Sequence, residues 1–165
     1  MYFPLHCHSH YSLLDGLSKP SDIANRIKEL KLKGCALTDH GTVSGAVAFV
    51  KAMKKKGLKA ILGCEMYISK DEDGEKTRHA NHLVILAKNL KGWINLITIC
   101  SEANSEENFY YKPRLSLDQL ADLNEGNLIA FSGHLGSDLS ETIFGENSKK
   151  AFSARTYDEA ESLVD

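Results

Sequence analysis

Seven histidines are spread over 165 residues, and three of them, His6, His8 and His10, fall within five positions. The first two form a His-x-His pair. Side chains two apart on an extended chain point to the same side, so both imidazoles can reach one ion. Asp15 follows in the turn Leu13-Leu14-Asp15-Gly16. Further along come Thr38-Asp39-His40-Gly41, then Gly63-Cys64-Glu65, then Ser132-Gly133-His134-Leu135-Gly136. Imidazoles and carboxylates without paired thiolates suit Zn, Mn or Fe rather than Mg or Ca. Several carboxylates with more than four histidines point to more than one ion. Clustered divalent ions that activate water and stabilise a leaving oxygen are the usual device for hydrolysing phosphate esters. Glu65 sits inside an apolar run, where an ionised carboxylate needs a partner. It is the expected bridging ligand, because one carboxylate can span two ions.

Each of these features also has an ordinary explanation. His-x-His can be a chance pair on a strand, Asp15-Gly16 a plain turn, and Asp39-His40-Gly41 a loop that caps a helix. Asp39 is a candidate for orienting an imidazole. His82 is open between a ligand and a surface histidine beside His79. A second feature is Phe109-Tyr110-Tyr111-Lys112-Pro113-Arg114. Aromatics beside Lys112 and Arg114 suit a polynucleotide, with the two cations on backbone phosphates. A loop of packed aromatics is the alternative.

These residues need elements to position them. Residues 2–7 read as a first short strand. Ser18 is the expected cap of a helix through Pro20, Ile23, Ile27 and Leu30, ended by Gly34. Residues 35–38 form a second strand. Val43, Ala46, Val47, Val50 and Met53 mark one face of a second helix. Residues 60–68 are a third strand, 69–80 an exposed charged loop, and 83–87 a buried fourth strand. A largely apolar helix spans 90–103. Ser116 and Gln119 form a capping box before the next helix. Residues 128–131 are a fifth strand, and 157–164 begin another helix. Strands separated by helices predict βαβ units and a parallel sheet; periodicity does not separate an open sheet from a barrel. Sites in such folds lie at the carboxyl ends of strands, and four of the five strands deliver His, Asp or Glu there. His82 precedes its strand, so this rule puts it at the opposite end.

Composition narrows the classes. A net charge of -2, 42% hydrophobic residues and 25% charged residues describe an ordinary globular chain rather than a disordered one. No apolar run approaches the roughly 18 residues of a membrane span, and no basic-then-apolar leader opens the chain. Cys7, Cys35, Cys64 and Cys100 lie far apart, which fits a reduced cytoplasmic chain. There is no Walker A, Gly-x-Gly-x-x-Gly or Gly-x-Ser-x-Gly motif.

At His6-x-His8, Tyr11-Ser12-Leu13-Leu14-Asp15-Gly16, Thr38-Asp39-His40-Gly41 and Gly63-x-Glu65, the sequence resembles a known family. This is the PHP (polymerase and histidinol phosphatase) domain at the N-terminus of bacterial DNA polymerase III alpha subunits. The resemblance continues in order through residues 82–88, 109–114 and Ser132-Gly133-x-Leu135-Gly136. It implies an α/β fold, a distorted seven-stranded (βα) barrel with up to three divalent ions, Zn or Mn, in its mouth. It implies that His6, His8, Asp15, His40, Glu65, His82 and His134 occupy the ligand positions, with Glu65, His8 and His40 at the catalytic core. Family members with full ligand sets act as metal-dependent 3′–5′ exonucleases on a DNA primer end; others keep the domain as a structural or partner-binding module. A histidinol-phosphatase type of small-molecule phosphatase is a third reading, against which Leu13-Leu14-Asp15-Gly16 and Tyr111-Lys112-Pro113-Arg114 count. The partners implied are DNA, the rest of the polymerase chain and other replisome subunits. His134 stands where many relatives have Cys, and His10 where a different polar residue is usual. The family's C-terminal Asp-x-His has no match here. With about five strands, residues 1–165 read as the N-terminal portion of the domain, without its last strands or the polymerase domains. Such a piece alone is expected to be weak or inactive.

Overall fold

Strand β2 (Lys59–Ser69) is the axis of the sheet in this computed structural model, which describes residues 2–69, 76–133, 137, 139 and 140. His134, the Leu135-Gly136 pair and the helix expected over 157–164 lie outside the described residues. One edge of β2 pairs in parallel with β1 (Gly34–Leu37) and, further along, with the two-residue β4 (Arg114–Leu115). The other edge pairs antiparallel with β3 (Ala80–Ala87), which pairs antiparallel with β5 (Leu128–Phe131). Helices α1 (Pro20–Glu29), α2 (Ala46–Lys55), α3 (Leu90–Ala103) and α4 (Leu117–Asn124) complete the described elements. None of them is long and apolar enough to cross a membrane.

Four of the five expected strands are present, as β1, β2, β3 and β5, whereas β4 has no counterpart in the sequence reading; the strand directions do not fully agree with it either. Strands β1, β2, β4 and β5 run one way and β3 alone runs the other. The cause is the link between β2 and β3. It has only ten residues, 70–79, and a parallel crossover needs a dozen or more. Reversal turns β3 end for end, so its first residues lie beside the carboxyl ends of the other strands. His82 is therefore on the site's side, opposite Tyr67, and the strand-end objection to it disappears.

Residues 2–7 do not form the expected strand. They run beside β1 and accept two backbone bonds from it and the residue that follows it, Ala36 N–H to Pro4 O at 2.8 Å and Thr38 N–H to Cys7 O at 2.9 Å. Pro4 has no N–H to return, and Cys7 N–H donates instead to Thr38 Oγ1 at 2.9 Å. Two helix details also change. Lys19, not Ser18, precedes α1, with Pro20 in its first turn. Helix α2 buries Ala46, Phe49 and Met53, while Val47 and Val50 face outward. Helix α3 and the Ser116–Gln119 capping box stand as read.

Period-2 alternation gives the sheet two different faces. Cys64, Met66, Ile68 and Ile85 point outward and bury against Leu96, Ile99, Cys100 and Ala103 of α3. On the far side, Cys35 and Leu37 pack against Ile23, Ala24 and Ile27 of α1 and Phe49 and Met53 of α2. The opposite face carries Gly63, Glu65, Tyr67, His82, Val84 and Leu86. Its lower half is apolar, with Leu5, Ile61, Leu86, Ile129 and Phe131 lining a groove of about 630 Å³. Its upper half is polar and holds the site.

Gly63 marks the boundary between these halves. A β-carbon there would lie 2.5 Å from both the Ile85 carbonyl oxygen and Leu86 Cδ2. Backbone on the neighbouring strand cannot yield cheaply. Gly63→Ala is expected to cost about 2 kcal/mol, in the range for overpacking, seen as an earlier urea midpoint at unchanged slope.

Candidate metal centre

Glu65 is 1% exposed and lies at the middle of the polar half. Its two oxygens face two separate pairs of imidazoles. Oε2 contacts His6 Nε2 and lies 2.9 Å from His8 Nε2. Oε1 contacts His82 Nδ1 and lies 3.3 Å from His40 Nδ1. Asp15 Oδ2 spans the outer rim, 2.6 Å from His8 Nδ1 and 3.2 Å from His40 Nε2. The structure thus brings six of the seven expected ligands together. The seventh, His134, lies outside the described residues. His10 and His79 take no part in these groups.

The donors form three overlapping groups: His6, His8 and Glu65; His8, Asp15 and His40; His40, Glu65 and His82. Within each group the donor atoms lie within 4.8 Å of one another. The first and third share no imidazole and use different oxygens of Glu65, so both can be filled at once. The second draws on the remaining nitrogens of His8 and His40, which a neutral imidazole bound elsewhere holds as N–H. Asp15 is well placed to accept from those N–H groups and orient both rings.

Protons alone serve this arrangement poorly. His6 Nε2 and His8 Nε2 are 3.1 Å apart, which leaves room for one proton between them at most. His40 Nδ1 is buried and out of hydrogen-bond alignment with the carboxylate. Four imidazoliums around one carboxylate would leave a large uncompensated positive charge, whereas shared divalent cations let every imidazole stay neutral. The donor set therefore fits metal binding.

The electrostatics agree. Burial alone would push the Glu65 carboxyl up, but His40, His8 and His82 around it hold it far below the usual carboxylate range. The bond to Glu65, against burial and with help from Asp15, pushes His8 up from 6.5 to about 9. The His8 contact likewise holds Asp15 below its usual value.

Asp39 does not orient an imidazole, contrary to the sequence reading. It is buried and accepts from Ser9 N–H at 2.6 Å, Ser9 Oγ at 2.9 Å and Ser12 Oγ at 2.7 Å. Ser12 Oγ in turn accepts the His40 N–H at 3.2 Å. Asp39 thus anchors the 8–12 loop and the His40 backbone through two serines the sequence reading passed over. The signal for Ser9 was available: it alternates with His8 and His10, so on extended chain it faces away from them, toward the interior. Tyr67 was also missed. It stands two residues from Glu65 on the same face, stacks on His40 at 5.9 Å and meets His82 edge-on at 4.9 Å.

Beside the histidines lies a cavity of about 740 Å³, lined by Tyr11, His40, Tyr67, Tyr111 and Lys112 among others. Lys112 Nζ sits 4.2 Å over the Tyr67 ring, and burial, then Arg114, lower its pKa. Arg114 is a different case from the one expected. It is 2% exposed, donates to the Thr77 carbonyl and stacks over Tyr110 at 4.8 Å. So buried a guanidinium cannot grip a backbone phosphate; it braces the loops around the cavity.

Comparison with known proteins places this site in context. The model of the PHP domain matches residues 4–165. A DNA polymerase III subunit alpha from Helicobacter pylori strain 26695 is 39% identical over 163 residues, which is 97% of this chain and 13% of that protein. One from Chlamydia pneumoniae is 44% identical over 145 residues, 85% of this chain and 12% of its own length. The chain thus spans about an eighth of the length of these relatives. A solved amidohydrolase from Chromobacterium violaceum aligns over 61% of this chain and 34% of its own, at 25% identity and a TM-score of 0.44.

Three outcomes are expected. A raised imidazole stabilises the fold fully below its unfolded value and stops doing so as pH rises through its folded value. Metal-free protein should therefore lose stability, on the order of 2 kcal/mol, between pH 6.5 and about 9, and His8→Gln should flatten that slope in urea melts at stepped pH. In the same window, binding of Zn²⁺ or Mn²⁺ should expel the His8 proton, so calorimetric proton release should fade above the upper limit. Separately, Asp39→Asn removes the buried charge and one of the two oxygens that accept from Ser9 and Ser12. It should cost about 1–3 kcal/mol and reduce the metal retained after dialysis, measured by elemental analysis.

Proposed function

The chain belongs to the PHP domain family, and on that premise we propose that it is the N-terminal part of the PHP domain of a replicative DNA polymerase alpha chain. In the complete protein it removes 3′-terminal nucleotides by metal-dependent phosphodiester hydrolysis. One observation carries the chemistry: a buried carboxylate offers each of its oxygens to a separate pair of imidazoles. That is the donor pattern of two cations bridged by one carboxylate. A structural remnant has no need to keep such a carboxylate ionised in the interior.

In this reading His6, His8, His40 and His82 would hold Zn or Mn ions, with Glu65 as their shared carboxylate and His134 as a further ligand. When bound, such ions lower the pKa of water and neutralise phosphoryl oxygens. The protein's own groups do the rest. Asp15 fixes the tautomers of His8 and His40. Tyr67 keeps the His40 and His82 rings in register. Lys112, facing the cavity from above Tyr67, takes a non-bridging phosphate oxygen and confers little sequence preference. Arg114 holds the surrounding loops and does not touch the substrate. The partners of this reading are the 3′ end of a primer, the rest of the polymerase chain and other replisome subunits, in the cytoplasm.

The test uses the full-length protein, a 3′-mismatched primer and Mn²⁺ or Zn²⁺, without nucleotides. Shortening of the primer should fall at least about a hundredfold in a Glu65→Gln, His8→Ala double variant, as for loss of a metal-activated nucleophile. DNA synthesis by the same preparation controls for folding. Shortening that persists unchanged places the nuclease elsewhere and leaves this domain a structural role.

A further inference from the structure

The segment 76–78 is tied down on the segment 107–114 at three points. Lys76 Nζ donates to the Glu107 carbonyl, Arg114 Nη1 donates to the Thr77 carbonyl, and Arg78 Nη2 donates to the Tyr111 hydroxyl. The Arg78 guanidinium also lies 4.1 Å over the Tyr111 ring. These residues are far apart in sequence, and the buried Arg114 is one of the groups that hold their segments together. Tyr111 itself adopts a left-handed backbone conformation, φ +60°, which bulky side chains rarely occupy. It nevertheless remains 60% exposed, so no core packing explains the strain. It lines the same cavity as His40 and Lys112.

From this arrangement we infer that Arg78 and Tyr111 form a second, outer contact for a single-stranded polynucleotide, on the path by which the strand enters the metal centre. The inference rests on the proposed nuclease reading and extends it to substrate class. Strand binding without sequence preference combines aromatic platforms with cations that follow the backbone. Here the two are fused: Tyr111 offers a base its exposed surface, and Arg78, held against it, reaches the neighbouring phosphate. Lys112 serves the scissile phosphate, and Arg78 a phosphate further from the 3′ end. A substrate with only one phosphate and no neighbouring nucleotide would make the first contact and not the second. The site is thereby selective for a chain over a small ester.

The full-length protein tests this with Arg78→Ala and with Tyr111→Asn, which removes the ring but keeps a residue type that tolerates φ > 0. Hydrolysis of a single-stranded oligonucleotide and of bis(p-nitrophenyl) phosphate is compared in Mn²⁺. For the oligonucleotide, KM should rise about tenfold in either variant, and Arg78→Ala should reduce the salt slope by about 0.7. Values for the small ester should not move. In parallel, 5-bromouracil placed near the 3′ end of a strand should crosslink on irradiation to the peptide containing Tyr111. Unchanged KM values with crosslinks elsewhere overturn the inference and leave the nuclease reading intact. Equal losses on both substrates also overturn it, since a merely structural role would act that way. If the wild-type protein hydrolyses neither substrate but the crosslink maps to Tyr111, the strand contact stands and the catalytic reading falls.

Discussion

A carboxylate at 1% exposure inside a β-sheet is tolerable only if its surroundings supply positive charge or donors. Glu65 is that group, and much of the described structure answers to it. Its backbone is fixed from the side by the chain around His40: Glu65 N–H donates to Asp39 O at 3.0 Å and Gly41 N–H donates to Glu65 O at 2.9 Å. Its side chain is met by His6 and His8 from the irregular N-terminal chain, by His40 after β1 and by His82 from β3. Four imidazoles from three parts of the chain meet at one point because one buried charge requires compensation there.

Asp39 and Arg114, the other two buried charged side chains among the described residues, support the site at one remove. Asp39 is satisfied by Ser9 and Ser12 and so places the histidine-bearing loop. Arg114 donates to the Thr77 carbonyl and lies over the Tyr110 ring and so places the cavity rim. In both cases a buried ion rigidifies irregular backbone, which has no ladder of its own to hold it. This is how loops with exposed Leu13, Leu14 and Tyr111 can present defined geometry to a ligand.

The helices contribute through the outer layer. Packing α3 against β2 and β3, and α1 and α2 against β1, sets the sheet's outward face by hydrophobic burial. Because side chains alternate along a strand, fixing that face also fixes which residues point the other way. Glu65 and His82 reach the site as a consequence of Cys64, Met66 and Ile85 being in the core. A shift of one residue in the register of β2 would put a core thiol in the place of Glu65.

Much of this is local and legible in the sequence. Periodicity locates most strands and helices, including α3 and the capped start of α4. The spacing of His6 and His8, and a glutamate within an apolar run, mark a candidate metal site in the sequence alone. What the sequence could not show is pairing direction and depth. β3 begins at Ala80, three residues before the sequence reading starts that strand, which leaves a ten-residue link too short for a parallel crossover, and the resulting reversal carries His82 to the site. The burial of Arg114 and the use of Asp39 as a loop anchor depend on contacts across 27 to 37 positions. Period and propensity are short-range properties of a chain, whereas the desolvation of a charge and the partner that answers it are fixed only when distant segments close over it.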